Sequence, residues 1–123
     1  MAKIWTHKDL DVWNQAMELA VLTYRVTRAF PSDERYALAS QMRRAAVSVL
    51  SNIAEGAARR TRPDFLHFLH VARGSLAELD AQAALADRLE FGNDSGRLQE
   101  AIKRVGQLLN GLIGKLKKRA VIP

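Results

Sequence analysis

The stretch LASQMRRAAVSVLSNIAEG, residues 38–56, decides the fold. At about 100° per residue, its apolar side chains fall on one side of a helix that continues to Ala57. This face consists of Leu38, Met42, Ala45, Ala46, Val49, Leu50, Ile53 and Ala57. A second stripe, with only two charges, consists of Ser40, Gln41, Arg44, Ser48, Ser51, Asn52 and Glu55. Because solvent-facing stripes are usually rich in Lys and Glu, this one indicates a hydrogen-bonded contact with another helix or chain.

The composition predicts a single globular domain over residues 1–123. With 48% apolar and 26% charged residues, the chain differs from disordered proteins, and its length can bury roughly two-thirds of the unfolded surface. It has no cysteine, which excludes disulfides, thiolate metal sites and cysteine nucleophiles. No apolar run has the length of a signal peptide core or a membrane span, so we expect a cytoplasmic protein.

Helix-breaking and capping residues divide the chain into four helices. Pro31 ends the first helix and Ser32 caps the second. Thr61-Arg62-Pro63-Asp64 reads as the cap and first turn of the third, and Gly92-Asn93-Asp94-Ser95 as the turn before the fourth. The predicted helices are residues 10–29, 33–59, 63–90 and 95–118, with no strand pattern between them.

The third and fourth helices each carry one apolar face. That of the third consists of Phe65, Phe68, Leu69, Ala72, Leu76, Leu79, Ala83 and Ala86. That of the fourth, spaced alternately by three and four residues, consists of Ile102, Val105, Leu109, Leu112 and Leu116. Four such helices joined by short turns predict an all-α, up-and-down antiparallel four-helix bundle.

The first helix is apolar on more than half of its circumference, which is typical of burial on two sides. Its main face consists of Trp13, Met17, Ala20, Tyr24 and Thr27, and its second stripe of Val12, Leu19, Leu22, Val26 and Phe30. We expect the second stripe and the polar stripe of the second helix to face outward, in a homo-oligomeric ring. The predicted interface consists of Val12, Leu19, Leu22, Val26, Ser40, Gln41, Arg44, Ser48, Ser51, Asn52 and Glu55.

The net charge of +6 makes polyanions candidate partners. The chain has two main clusters of basic residues. They are Arg59, Arg60 and Arg62 after the second helix and Lys115, Lys117, Lys118 and Arg119 at the end of the fourth. An up-and-down bundle places both at the same end, where they would contact nucleic-acid phosphates without reading sequence. The alternative is that these cations complement helix C-termini and keep the chain soluble.

Several motifs resemble a known family. They are Leu10-Asp11-Val12-Trp13 with Ala16, Arg43-Arg44-Ala45-Ala46 with Ser48, Asn52-Ile53-Ala54-Glu55-Gly56, Phe65-Leu66 with Phe68-Leu69, and Ala72-Arg73-Gly74-Ser75-Leu76 with Glu78-Leu79. The chain resembles the four-helix bundle proteins encoded in intervening sequences of bacterial 23S ribosomal RNA. That resemblance implies a homopentameric ring without established enzymatic activity. A more distant similarity, to accessory proteins of diversity-generating retroelements, supports a nucleic-acid or protein partner by analogy.

The motif around Asn52, Glu55 and Gly56 allows two interpretations. It could contact a ligand or a neighbouring subunit. Alternatively it is local structure, because Glu55 precedes Arg59 by one helical turn and Gly56 permits a close helix approach. Earlier in the same helix, Arg43 and Arg44 are expected on different sides of the helix.

Other polar residues have structural explanations. Asp64, His67 and His70 are spaced by three residues, but a metal site in a bundle needs inward ligands from several helices. Asp80, Asp87 and Glu90 lie at the edges of the third helix's apolar face, where we expect ion pairs within the bundle or between chains.

The sequence therefore predicts a non-enzymatic, oligomeric binding protein without cofactor, metal or membrane partner. The expected partners are further copies of the chain, with RNA or DNA or a protein as a second partner. The alternative is a structural or protein-interaction ring with no nucleic-acid role.

Overall fold

The computed structural model describes residues 6–92 and 94–121. These residues form four α-helices: α1 (Asp11–Arg28), α2 (Leu38–Ala57), α3 (Arg62–Arg88) and α4 (Ser95–Val121). Two short 3-10 turns, His7–Asp9 and Ser32–Glu34, precede α1 and α2. No strand occurs in these two ranges, which confirms the all-helical prediction for the described part of the chain.

The four helices pack side by side as an up-and-down bundle. Close backbone contacts join α1 with α2, α2 with α3, α3 with α4, and α4 with α1. Within the described ranges, 6–92 and 94–121, the diagonal pairs α1 with α3 and α2 with α4 make no such contact. None of the helices in these ranges combines the length and apolar character needed to cross a bilayer.

The core lies between the four helices and contains aliphatic side chains from each of them. Those fully shielded from solvent include Leu19, Met42, Val49, Ile53, Leu69, Leu79 and Leu109. The predicted apolar faces of α2, α3 and α4 are confirmed, since each of their members is buried or half-buried. Leu98 and Ile113 extend the face of α4 beyond the prediction.

The second stripe of α1 faces the core rather than outward, and the predicted main face is only partly buried, with Ala20 and Thr27 inside. Val12, Leu19 and Val26 were expected to face outward, but at most 7% of each is exposed. The spacing of the buried residues explains this. Val12, Ala16, Leu19, Thr23 and Val26 follow each other at alternating intervals of four and three residues, which places all five on one face of the helix. Thr23 can be buried because its hydroxyl donates to the carbonyl oxygen of Leu19 at 2.8 Å.

The outer side of α1 carries residues that were assigned to the core. Met17 and Tyr24 are 36% and 40% exposed, and Val21 beside them is 38% exposed. Leu22, from the predicted interface, is half-buried against the core. The apolar surface that α1 leaves outside the bundle is therefore formed by Met17, Val21 and Tyr24.

The second helix begins at Leu38 rather than at residue 33. Ser32 makes no capping hydrogen bond, and Ser32–Glu34 instead closes a 3-10 turn that ends at Arg35. Ala37, with φ −117° and ψ −108°, then interrupts helical geometry before α2. The preceding segment offers the core no apolar anchor, since its one aromatic side chain, Tyr36, is 88% exposed.

The junctions on either side of α3 have well-defined local geometry. Thr61 caps α3 as predicted, its hydroxyl accepting from the Asp64 amide at 3.2 Å. At the other end, Phe91 donates its amide to the Ala86 carbonyl and its ring packs 5.6 Å from that of Phe30. Gly92 follows with φ +73°, and a Cβ there would meet the Phe30 ring at 3.1 Å, so this turn requires glycine.

Candidate functional site

The end of α4 lies beside the beginning of α3. Arg73 in α3 donates to the Oδ1 atom of Asn110 in α4 at 3.2 Å. His70 lies one turn closer to the start of α3. Partial burial lowers the pKa of His70 below its ordinary value of 6.5, and the positive charges of Arg73 and of Lys117 in α4 lower it further. Antiparallel packing therefore brings the last turns of α4 to the end of the bundle that holds the α2–α3 junction.

The sequence-predicted basic residues thus lie at one end of the bundle, which we call the basic pole: Arg59, Arg60, Arg62, Lys115, Lys117, Lys118 and Arg119. Arg60, Arg62 and the three lysines are exposed, and none of them forms an ion pair with another described residue. Arg119 belongs to α4, but its side chain lies outside the described part.

Arg59 differs from the other members of the basic pole because its guanidinium is already engaged. It donates to Glu55 Oε2 at 2.8 Å, the predicted pairing across one helical turn. It also stacks over the ring of Phe68 in α3, 4.7 Å from the ring centroid. Both side chains of the pair are about half exposed, so the pair is screened by water and contributes little to stability.

The motif from Asn52 to Gly56 packs against α3 of the same chain. A Cβ at Gly56 would lie 2.8 Å from Phe68 Cβ and 3.0 Å from Phe65 Cδ1, so the predicted close helix approach is confirmed. Two turns earlier, Ser48 Oγ lies 2.7 Å from Ser75 Oγ, and Asn52 Nδ2 donates to the Ser48 carbonyl oxygen at 2.8 Å.

This contact gives part of the predicted oligomer interface an intramolecular explanation. Ser48 and Asn52 find their hydrogen-bond partners within the chain, so their place in the polar stripe requires no second subunit. The other members of the stripe are Ser40, which is half-buried, and Gln41, Arg44, Ser51 and Glu55, which are exposed.

An open apolar groove of about 520 Å³ lies between α1 and α2. Its apolar lining comprises Met17, Ala20, Val21, Tyr24, Val47 and Leu50, and Arg25 and Arg28 stand beside it. Arg43 and Arg44 both line an adjoining groove with Tyr24 and Val47, so the prediction that they serve different surfaces is wrong. The two arginines lie at different angles around α2, but both reach the groove because α1 packs beside this part of α2.

A separate cavity of about 390 Å³ lies at the end of the bundle opposite the basic pole, between the end of α1 and the start of α2. It is lined by Thr27, Arg28, Phe30, Pro31, Ser32, Arg35, Ala39 and Arg43, and we call it the arginine cavity. Sequence reasoning missed it, because its arginines are separated by seven and eight residues and become neighbours only when the chain reverses direction at Pro31.

The remaining polar candidates do not form a site in the described residues. Residues 6–92 and 94–121 contain no group of three or more His, Asp or Glu residues that could hold a metal. His67 instead packs its ring against that of Phe68, and His70 Nδ1 accepts from Arg73 at 3.0 Å. Asp80, Asp87 and Glu90 are exposed and form none of the ion pairs expected within the bundle.

Comparisons with known proteins agree with this fold. Residues 8–111 match the family model described as 23S rRNA-intervening sequence protein. A Bacteroides thetaiotaomicron protein of unknown function from the S23 ribosomal protein family, solved at 1.70 Å, superimposes with a TM-score of 0.77. The two sequences are 21% identical, and the alignment covers 84% of this chain and 95% of the other. No protein of curated function matches the sequence.

Proposed function

The chain belongs to the 23S rRNA-intervening sequence protein family, and on that premise we propose that it is a non-enzymatic, homo-oligomeric protein that contacts nucleic-acid phosphates through the basic pole. The observation that carries this proposal is the convergence of two cationic segments at one end of the bundle. Arg60 and Arg62 at the α2–α3 junction lie at the same end as Lys115, Lys117 and Lys118 of α4, and all five are exposed.

The chemistry of the pole suits the sugar–phosphate backbone rather than the bases. The described part of the pole offers guanidinium and ammonium groups, and the Phe68 ring beside it is occupied, since it packs against Gly56 and under Arg59. Contacts of this kind release counterions, so the logarithm of the binding constant falls by about 0.9 per phosphate neutralised on duplex DNA as the logarithm of salt concentration rises. Five contacting cations would give a slope of roughly −4 to −5 per subunit.

The test is binding of RNA and DNA, each as a duplex and as a single strand, across a series of salt concentrations. A pole variant replaces Arg60, Arg62, Lys117 and Lys118 with Gln. A matched control replaces Arg88, Arg97, Lys103 and Arg104 with Gln, which changes the net charge equally at exposed sites away from the pole. We expect the pole variant to lose affinity at least tenfold with a shallower slope, while the control retains most of both. Equal losses in both variants would mean that net charge, rather than the pole, drives binding.

Self-association through the α1–α2 groove is the second part of the proposal. The groove leaves Met17, Val21, Tyr24 and Val47 more than a third exposed, and the five arginines that line it and the adjoining groove disfavour contact of this surface with the same surface of a second copy. A second copy would therefore cover the groove with a different part of its surface, a head-to-tail arrangement that forms a ring when the rotation between subunits closes. This groove replaces Val12, Leu19 and Val26 as the expected interface.

Light scattering of the purified protein tests this assignment. A variant with Met17→Glu and Val47→Glu should scatter as a smaller, folded species, because both residues are over a third exposed and lie in the groove. The matched control, Val71→Glu with Leu85→Glu, changes equally exposed apolar residues on α3 and should keep the wild-type mass. An unchanged mass in the groove variant would exclude the groove as the interface.

The alternative function is an interaction scaffold with no nucleic-acid role. The observation that favours it is the same groove, which presents apolar and aromatic surface suited to a protein partner. An oligomer that binds none of the four nucleic acids at physiological salt would make the scaffold the better description.

A further inference from the structure

The arginine cavity has the features of a binding site for a small anion. Arg28, Arg35 and Arg43 line it, together with Ser32 and the apolar surfaces of Phe30 and Ala39. We propose that this cavity binds a phosphate monoester, either as a free small molecule or as the terminal phosphate of a nucleic acid. It lies at the opposite end of the bundle from the basic pole, so the two sites can be tested separately.

The charges around the cavity are not balanced by the protein. No carboxylate is among its lining residues. Asp33 and Glu34 belong to the neighbouring 3-10 turn but form no ion pair with the three arginines. The ion pairs found in residues 6–92 and 94–121 join Glu55 with Arg59 and Asp94 with Arg97, and neither of them includes an arginine of the cavity. Three like charges on one cavity repel each other, and an anion bound between them would relieve that repulsion.

One of the three guanidinium groups is held in a fixed orientation. Arg43 donates from Nε to Thr27 Oγ1 at 2.8 Å and from Nη2 to the Tyr24 carbonyl oxygen at 3.3 Å. Its guanidinium also lies over the Tyr24 ring, 4.6 Å from the centroid. These contacts use the Nε–Nη2 edge of the guanidinium and leave its other N–H groups without a partner among the described residues, so ordering of this side chain costs a ligand little.

The anchoring of Arg43 extends one layer further into the bundle. Thr27 is 3% exposed, and its hydroxyl donates to the Thr23 carbonyl oxygen at 2.8 Å. The hydroxyl proton is therefore committed to the helix backbone, which leaves the oxygen as an acceptor for Arg43. A buried threonine pair thus positions a cation at the cavity wall.

The arrangement favours a phosphate monoester over a carboxylate or a phosphodiester. A monoester carries a charge of about −1.5 to −2 near pH 7 and three terminal oxygens, enough for a guanidinium on each side. A carboxylate offers two oxygens and one charge, and a phosphodiester likewise carries one charge. The volume of about 390 Å³ exceeds the needs of a lone phosphate and falls in the range of small-molecule sites, so Phe30 and Ala39 can contact an organic group.

Nuclear magnetic resonance titration of the full chain tests the proposal with five probes: inorganic phosphate, adenosine monophosphate, adenosine, and one oligonucleotide with and one without a 5′-phosphate. We expect saturable shifts of backbone amides between Thr27 and Arg43 with adenosine monophosphate and the phosphorylated oligonucleotide. Adenosine and the unphosphorylated oligonucleotide should bind at this cavity at least tenfold more weakly. Preference for the mononucleotide or the oligonucleotide distinguishes the two sources of the phosphate group.

Exposed arginines provide variants that leave the core intact. Arg28→Gln with Arg35→Gln should weaken monoester binding at least tenfold. The control, Arg88→Gln with Arg97→Gln, removes two exposed arginines at the same end of the bundle and should change affinity less than twofold. The proposal is overturned if no monoester binds saturably at millimolar concentration, if the control weakens binding equally, or if the unphosphorylated oligonucleotide binds the cavity as tightly.

Discussion

The two long sides of α2 meet their neighbours in different ways. Toward α3, small and polar residues bring the helices together, with Gly56 against Phe68 and Ser48 hydrogen-bonded to Ser75. Toward α1, the inner residues are buried, but Val47 and Tyr24 remain over a third exposed along an open groove. The first contact is complete within one chain. The second leaves apolar surface uncovered and arginines that form no ion pair with another described residue, and both the proposed interface and the arginine cavity lie there.

The largest expected effect is on the free energy of unfolding, which should fall much more for a substitution on the inner stripe of α1 than for one on its outer stripe. Leu19→Ala removes a fully buried side chain and should lower the free energy of unfolding by about 2–5 kcal/mol. Met17→Ala, two residues away but 36% exposed, should cost less than about 1 kcal/mol in the monomer. Urea unfolding of both variants measures the difference. If Leu19→Ala kept its stability and reduced the assembled mass instead, the inner stripe would have to face a second subunit.

Close approach at Gly56 gives the next largest effect. A Cβ there would lie 2.8 Å from Phe68 Cβ, so Gly56→Ala must displace α3 at an overpacking cost of about 1–3 kcal/mol. The gain in helix propensity offsets up to about 1 kcal/mol of that cost. Gly74→Ala is the matched control, because no atom lies within 4 Å of its added methyl group, and it should stabilise the protein. Thermal unfolding that shows both substitutions to be stabilising would contradict the tight α2–α3 contact.

The hydrogen bond between Ser48 and Ser75 should contribute about 1 kcal/mol. Ser48→Ala removes it and also one acceptor of the Asn52 amide. In a double-mutant cycle, Ser48→Ala combined with Ser75→Ala should cost less than the sum of the two single substitutions. Ser51→Ala, on the exposed side of α2, should stay within about 0.5 kcal/mol of the wild type. Strict additivity of the two serine substitutions would mean that water replaces the bond without loss.

The helices and three of the four core faces could be predicted from the sequence, because large aliphatic residues at helical spacing have few alternatives to burial. The phase of α1 could not, since its two stripes have similar apolar content. Its correct face depends on Ala16 and Thr23, which become core residues only when neighbouring helices approach and the threonine hydroxyl bonds to its own backbone. The start of α2 was misplaced for a related reason, because Ser32 has the composition of a cap while the next residues give a helix nothing to pack against.

The candidate sites also differ in how far the sequence alone could predict them. The basic pole could be predicted because its cations are clustered in sequence near helix ends. Both the arginine cavity and the α1–α2 groove combine residues from two helices, and no local pattern marks them. For Ser48 and Asn52 the polar pattern predicted contact with another helix or chain, and polarity alone does not distinguish the two; the structure shows hydrogen bonds within the chain.

The smallest expected effect concerns pH and the contact of α3 with α4. Partial burial and the charges of Arg73 and Lys117 lower the pKa of His70, whose Nδ1 accepts a hydrogen bond from Arg73 as a neutral ring. Because the folded pKa lies below the unfolded value of 6.5, the unfolded chain binds more protons near pH 6, and stability should fall as pH falls from about 7 through the folded pKa. His70→Gln should flatten this part of the profile in urea unfolding between pH 5 and 7.5. His7→Gln leaves the Arg73 contact intact and should retain the wild-type dependence. A His70→Gln profile that matches the wild type would place the acid-sensitive group elsewhere.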